Sequence, residues 1–170
     1  IDALARLPGQ LSDICLVFCG RPGPETERLR AQATVAGLNN RVHLVGRVPE
    51  ADLHWLYENA LALTFASEYE GFGNPCLEAM ARGCPVLASN ATALPEVIDG
   101  AGLLIPTGNV EGWARAITSL ATNADLVADL VDRGHRRAAV FDADMASSRL
   151  WAVYRELLGL DSVAGSVDSA

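Results

Sequence analysis

The sequence predicts an α/β fold in which a parallel sheet is covered by helices on both faces, and three observations predict it. Short apolar runs alternate with helix-forming stretches through the first two-thirds of the chain. The runs are continuously apolar, as expected of strands buried on both faces. Most are closed on the carboxyl side by glycine, proline or small polar residues, which suits loops at the ligand-binding edge of an open sheet.

Residues 1–7 have helical spacing, with Ile1, Leu4 and Leu7 on one side, and the pattern stops at Pro8-Gly9 as the end of a helix that starts earlier. Residues 14–19 predict the first strand, closed by Gly20-Arg21-Pro22-Gly23-Pro24. Residues 25–37 are charged and helix-forming, end at glycine, and put Leu29, Ala33 and Ala36 on the packing side. A second strand at 42–45 leads into Gly46-Arg47-Val48-Pro49, and a helix at 50–59 carries Leu53, Leu56, Tyr57 and Ala60 as its core stripe. His54 lies off that stripe, near Glu58.

The third strand at 61–66 leads into a glycine-bearing turn and a helix from Pro75; the fourth strand lies at 85–88. A short helical turn at 95–98 and a last strand at 102–105 follow. Residues 110–122, 124–141 and 143–158 are helical, the last with Leu150, Val153, Tyr154 and Leu157 as a stripe. One domain over 1–159 and a loosely held tail at 160–170 are expected.

Composition narrows the function. The chain has 170 residues, half of them hydrophobic, which is enough for a substantial core. Its net charge of −8 argues against nucleic acid or an anionic membrane as partner. All 13 basic residues are arginines, so neither a Schiff-base lysine nor a phosphate-binding P-loop lysine is available. Cys15, Cys19, Cys76 and Cys84 form no C-x-x-C pair, and they are expected to be small buried hydrophobes in a reducing compartment. No apolar run reaches membrane-spanning length and no signal peptide is present, which predicts a cytoplasmic protein. A start at Ile1 without Met suggests a piece of a longer protein.

The chemistry concentrates in SEYEGFGNPCLEAMARGCPVLASN, residues 67–90. Pro75 suits the first helical position and Asn74 the N-cap. The amides of Cys76 and Leu77 would then lack intrahelical acceptors, and with the helix dipole they favour a phosphate. Gly71 and Gly73 allow positive φ and close ligand approach. Two carboxylates beside such a site make sense for a ligand rich in vicinal hydroxyls, because an ionised carboxylate only accepts. Glu78 is placed for a ribose and Glu70 for the hydroxyls of a hexose. The competing readings are a surface i,i+4 pair between Glu78 and Arg82, and a solvated loop position for Glu70.

Glu70, seven residues and Glu78, set in EGFGNPCLEAMARGCPVLAS, closely resemble the E-x7-E signature of the family 4 (group 1) retaining glycosyltransferases, and the likeness extends over residues 16–159. The resemblance implies the Rossmann-like carboxy-terminal half of a GT-B enzyme. It implies that Glu70, assigned as catalytic, contacts the donor sugar and that Glu78 contacts the ribose. Gly71, Phe72, Gly73, Asn74, Cys76 and Leu77 would surround sugar and phosphate. Arg47 and Val48 would face the nucleobase, and Gly20 and Arg21 form a further nucleotide loop. The substrate is then a UDP- or GDP-hexose, with no cofactor and no metal, and the reaction transfers the hexose to an acceptor hydroxyl with retention. The family's basic pair for the diphosphate and its amino-terminal acceptor domain are missing from these residues, so the chain alone is expected to bind donor weakly and not to turn over. Any membrane association would come through that missing domain.

Other chemistry has less support. Asp142-Ala143-Asp144 resembles a metal-binding D-x-D, but Asp142 as N-cap and Asp144 in a first helical turn explain it better. His43, His54 and His135 show neither metal-ligand spacing nor a nucleophile elbow. Gly20-Arg21-Pro22-Gly23 lacks the third glycine of a dinucleotide fingerprint. Asn90-Ala91-Thr92 is a glycosylation sequon without a secretory signal. An epimerase of the same fold and a non-catalytic nucleotide-sugar-binding regulatory module remain as alternatives.

Overall fold

The computed structural model describes residues 1–141 and 143–160. The proposed cap at Asp142 and nearly all of the expected tail lie outside them. Strands β1 (Leu16–Cys19), β2 (Val42–Gly46), β3 (Leu63–Phe65), β4 (Val86–Ser89) and β5 (Leu103–Ile105) alternate with helices α1 (Glu25–Val35), α2 (Glu50–Asn59), α3 (Asn74–Ala81) and α4 (Leu94–Ile98). Helices α5 (Val110–Thr122), α6 (Ala124–Val140) and α7 (Ala143–Leu157) complete the order. Every strand pair is parallel, as the alternation demands.

The expected single sheet is divided. β1 pairs only with β2, from Leu16 opposite Val42 to Cys19 opposite Gly46. β3, β4 and β5 form a separate three-stranded sheet, with Phe65 opposite Ala88 and Ala88 opposite Leu104. Burial on both faces holds for β4, where all four residues are buried, but not for β1, where burial alternates. In β1, Leu16 and Phe18 pack on the cluster of Leu4, Ala33, Leu38 and Val42, while Val17 on the other face is 41% exposed. Continuous apolarity therefore overstated the cover on β1.

Period-two geometry sorts the β4 side chains between two cores. Val86 and Ala88 join Tyr57, Cys76, Ala79, Met80, Leu94 and Ile98. Leu87 points the other way, into Ile105, Leu120 and Leu130. Helix α3 packs closely on α6 because Gly134 is there: a Cβ at that position would lie 3.3 Å from Met80 Cγ. The two-stranded part is tied to α5 by an ion pair between Arg6 and Glu111.

Several local expectations are corrected. The amino-terminal helix is instead a pair of 3-10 turns, Leu4–Arg6 and Gly9–Leu11. Pro8 is the reason, since it forces Leu7 into an extended conformation and lacks an amide. His54 lies 3.5 Å from Glu50, one turn back on α2. Ala60 is exposed rather than part of the α2 stripe. Cys76 and Cys84 are buried as expected, but Cys15 and Cys19 are exposed. The α7 stripe of Leu150, Val153, Tyr154 and Leu157 is exposed throughout.

Candidate functional site

The turn between β3 and α3 differs from its predicted form in one informative way. Helix α3 starts at Asn74, so Gly73 is the N-cap and Pro75 falls one place further into the first turn; no side chain caps the helix. Gly73 has φ 100° and is buried, and a Cβ on it would stand 2.7 Å from Leu94 Cδ2. Only glycine fits both constraints. Gly71 has no positive φ, and a Cβ there would meet open space.

This shift moves the anion-binding donors. The Cys76 amide donates to the Gly73 carbonyl at 2.9 Å and is unavailable. Among the described residues, the amides of Gly71, Phe72, Gly73 and Asn74 have no backbone acceptor. They stand ahead of the positive end of α3, the side favourable to a phosphate. The Cys76 side chain is fully buried and cannot touch a ligand; Leu77 is half-buried.

The carboxylates flank this start. Glu70 is half-buried and Glu78 exposed. Burial first, then the charge of Glu70, pushes the Cys76 thiol up to about 12. Tyr57 on α2 is raised to about 12, first by burial and then by the charge of the nearby Glu78 carboxylate. The i,i+4 reading of Glu78 fails: Arg82 pairs across to Glu58 on α2, at 3.4 Å. Among the described residues Glu78 has no ion-pair partner.

Glu70 is anchored through its backbone. Its amide donates to Thr92 Oγ1 at 2.9 Å, joining the loop after β3 to the loop after β4. Thr92 has φ 48°. For a β-branched residue that conformation costs about 1–3 kcal/mol. One neutral hydrogen bond at an exposed site contributes about 0.5–1.5 kcal/mol net, at most comparable with the strain.

A cavity of about 580 Å³ opens between α3 and the end of α6, with Phe72, Asn74, Leu77, Glu78 and Phe141 on its wall. Glu70 does not line it. Phe72 packs edge-on against Phe141 at 5.5 Å, and the Arg137 guanidinium lies 4.7 Å over the Phe141 ring. The Phe72 ring is thus held at the carboxyl end of α6, while its amide has no backbone acceptor among the described residues. The other predicted residues form a separate group. Gly20 and Arg21 follow β1, Arg47 and Val48 follow β2, and the Gly20 amide bonds to the Gly46 carbonyl at 2.9 Å. Arg21 and Arg47 are exposed and have no protein partner among the described residues. Among the described residues no hydrogen bond or ion pair joins this group to the Glu70–Glu78 turn. Among the described residues no cluster of three or more His, Cys, Asp or Glu could hold a metal, and no helix is long and apolar enough to cross a membrane.

The family model described as glycosyl transferases group 1 matches residues 1–137. The chain belongs to that family. Group 1 relatives include the D-inositol 3-phosphate glycosyltransferase of Corynebacterium jeikeium, 32% identical over 162 residues, covering 92% of this chain and 38% of the relative. The O-antigen chain mannosyltransferase B of Escherichia coli is 40% identical over 96 residues, 56% of this chain and 25% of the relative. Among solved structures, Anabaena Alr3699/HepE in complex with UDP-glucose superposes with a TM-score of 0.81 at 25% identity, covering 91% of this chain and 43% of that one. The fold is the GT-B type expected from the motif. This group 1 chain thus spans well under half the length of these relatives.

Sequence reasoning missed three residues at this candidate site. Tyr57 was legible only as a core residue, because nothing in the α2 pattern says that its hydroxyl reaches Glu78. Thr92 stands out in sequence only as part of a sequon. Phe141 ends a helix 69 positions after the Phe72 that it contacts, and no local signal connects them.

Proposed function

We propose that this chain is the donor-binding half of a retaining glycosyltransferase that moves a hexose from a UDP- or GDP-sugar to an acceptor hydroxyl. The observation that carries the reading is the turn at residues 70–78: two carboxylates flank four amides without backbone acceptors, at the amino end of a helix. Arg82 is engaged by Glu58, which leaves Glu78 to accept from a diol. The UDP-glucose complex of the Anabaena relative supports this substrate class.

The residues then take distinct roles. Glu78, whose carboxylate lies near the buried Tyr57, accepts from the ribose. Glu70 accepts from the hexose and stands next to the reacting carbon. The amides of residues 71–74, the α3 dipole and arginine side chains stabilise the charge that develops on the departing diphosphate without a metal. Arg47 and Val48 contact the base, with Gly20 and Arg21 beside them. Transfer additionally needs an acceptor-binding region outside these residues, so the chain by itself binds donor weakly and does not turn over.

Calorimetry with UDP-glucose and GDP-mannose tests the donor site. Binding is expected to survive EDTA and to be abolished in Glu78→Ala; unchanged affinity in that variant would reject the ribose role. Joined to the acceptor region of its full-length protein, the chain is expected to restore transfer, and NMR of the product's anomeric proton would report retention or inversion.

A further inference from the structure

Two non-glycine residues among those described have positive φ, Thr92 and Asp99. Asp99 caps the end of α4, where a short polar side chain tolerates the left-handed region. Thr92 has no such excuse. It is β-branched and lies just before Ala93, the N-cap of α4, where any residue with a compatible backbone would make the turn, and its strain is at least comparable with what its single hydrogen bond returns in stability. The bond itself runs to the amide of Glu70, 22 residues earlier, across the mouths of two adjacent parallel strands.

We infer that Thr92 is a positioning residue for donor-sugar recognition: its left-handed backbone aims Oγ1 at the Glu70 amide and thereby fixes where the Glu70 carboxylate meets the sugar. The inference rests on the proposed sugar role of Glu70. Several features fit it. Glu70 immediately precedes a turn whose amides have no backbone acceptors among the described residues, so the Thr92 hydroxyl is the hydrogen bond that pins its backbone. The Thr92 hydroxyl keeps its own proton and a second lone pair, so the anchor does not exclude ligand or water from the same loop. The alternative is that the bend at Thr92 serves only to lead β4 into α4. That alternative needs the backbone conformation but not the hydroxyl.

Three variants separate these accounts, read by calorimetry as the ratio of affinity for UDP-glucose to that for UDP, with GDP-mannose and GDP as a second pair. Thr92→Gly keeps the bend without strain and removes the hydroxyl. It is expected to lower the sugar-dependent part of affinity by about tenfold while leaving nucleoside diphosphate affinity within about twofold. Thr92→Ser keeps the acceptor and is expected to preserve both affinities. Glu70→Gln controls for the underlying reading. If Glu70→Gln leaves the ratio unchanged, or the unaltered chain binds no donor, the sugar role of Glu70 fails and takes the inference with it. If Glu70→Gln lowers the ratio while Thr92→Gly leaves it intact, or lowers both affinities equally, the positioning role alone is overturned.

Discussion

Replacing Gly73 by alanine should destabilise the domain much more than the same change two residues earlier. Two costs add at Gly73. Its φ of 100° lies outside the regions open to an L residue, which costs about 1–3 kcal/mol. The new Cβ would also stand 2.7 Å from Cδ2 of Leu94, a side chain with no exposed surface, so relief requires repacking the core. Overpacking of that kind costs about 1–3 kcal/mol. Partial relaxation makes a total of about 2–4 kcal/mol reasonable, a large share of a typical domain's margin. At about 2–4 °C per kcal/mol for this length, the melting temperature should fall by roughly 5–15 °C. Gly71→Ala meets open space and needs no positive φ, so its stability should stay within about 0.5 kcal/mol. Far-UV circular dichroism melts on both variants provide the assay. A Gly73→Ala chain that melts within about 2 °C of the unaltered one would refute the steric argument. Gly71→Ala is instead expected to weaken nucleotide-sugar binding, because a Cβ there intrudes on ligand space.

Burial raises the thiols of Cys76 to about 12 and Cys84 to about 11, and Tyr57 to about 12. The unfolded chain then holds fewer protons than the folded one above about pH 9, so stability should fall as pH rises from there toward 12; urea titrations across that range that show no decline would contradict it. Titration with a thiol reagent at pH 8 should find Cys15 and Cys19 in the native chain and all four thiols after unfolding. Arg137 donates to the carbonyls of Val97 at 2.9 Å and Glu96 at 2.5 Å and lies over Phe141; Arg137→Met should cost about 1.5–3 kcal/mol by urea unfolding. Tyr57→Phe removes the hydroxyl that lies near the Glu78 carboxylate and should weaken nucleotide binding severalfold with a smaller effect on melting temperature, whereas an equal loss of both would mark Tyr57 as a packing residue only.

What sequence made legible, and what it hid, divides along the range of the forces involved. The boundaries of α2 and α5 were readable to the residue because Pro49 before Glu50 and Asn109 before Val110 mark the starts locally, the latter by a side-chain bond to the Gly112 amide at 2.9 Å. The start of α3 was misplaced by one residue for an equally physical reason. Asn-Pro is a good cap and first-turn pair by propensity, but Gly73 is pressed against Leu94 at the start of α4, and that contact selects the left-handed glycine as the cap. The same division runs through the candidate site. Glu70, Glu78 and the turn between them lie within nine consecutive residues and show themselves as a pattern. Their supports, Tyr57 and Thr92, come from other elements and are chosen by how the strands bring loops together. Since a carboxylate recognises a sugar only as well as it is held, the residues hidden from sequence are the ones that decide how well the visible ones work.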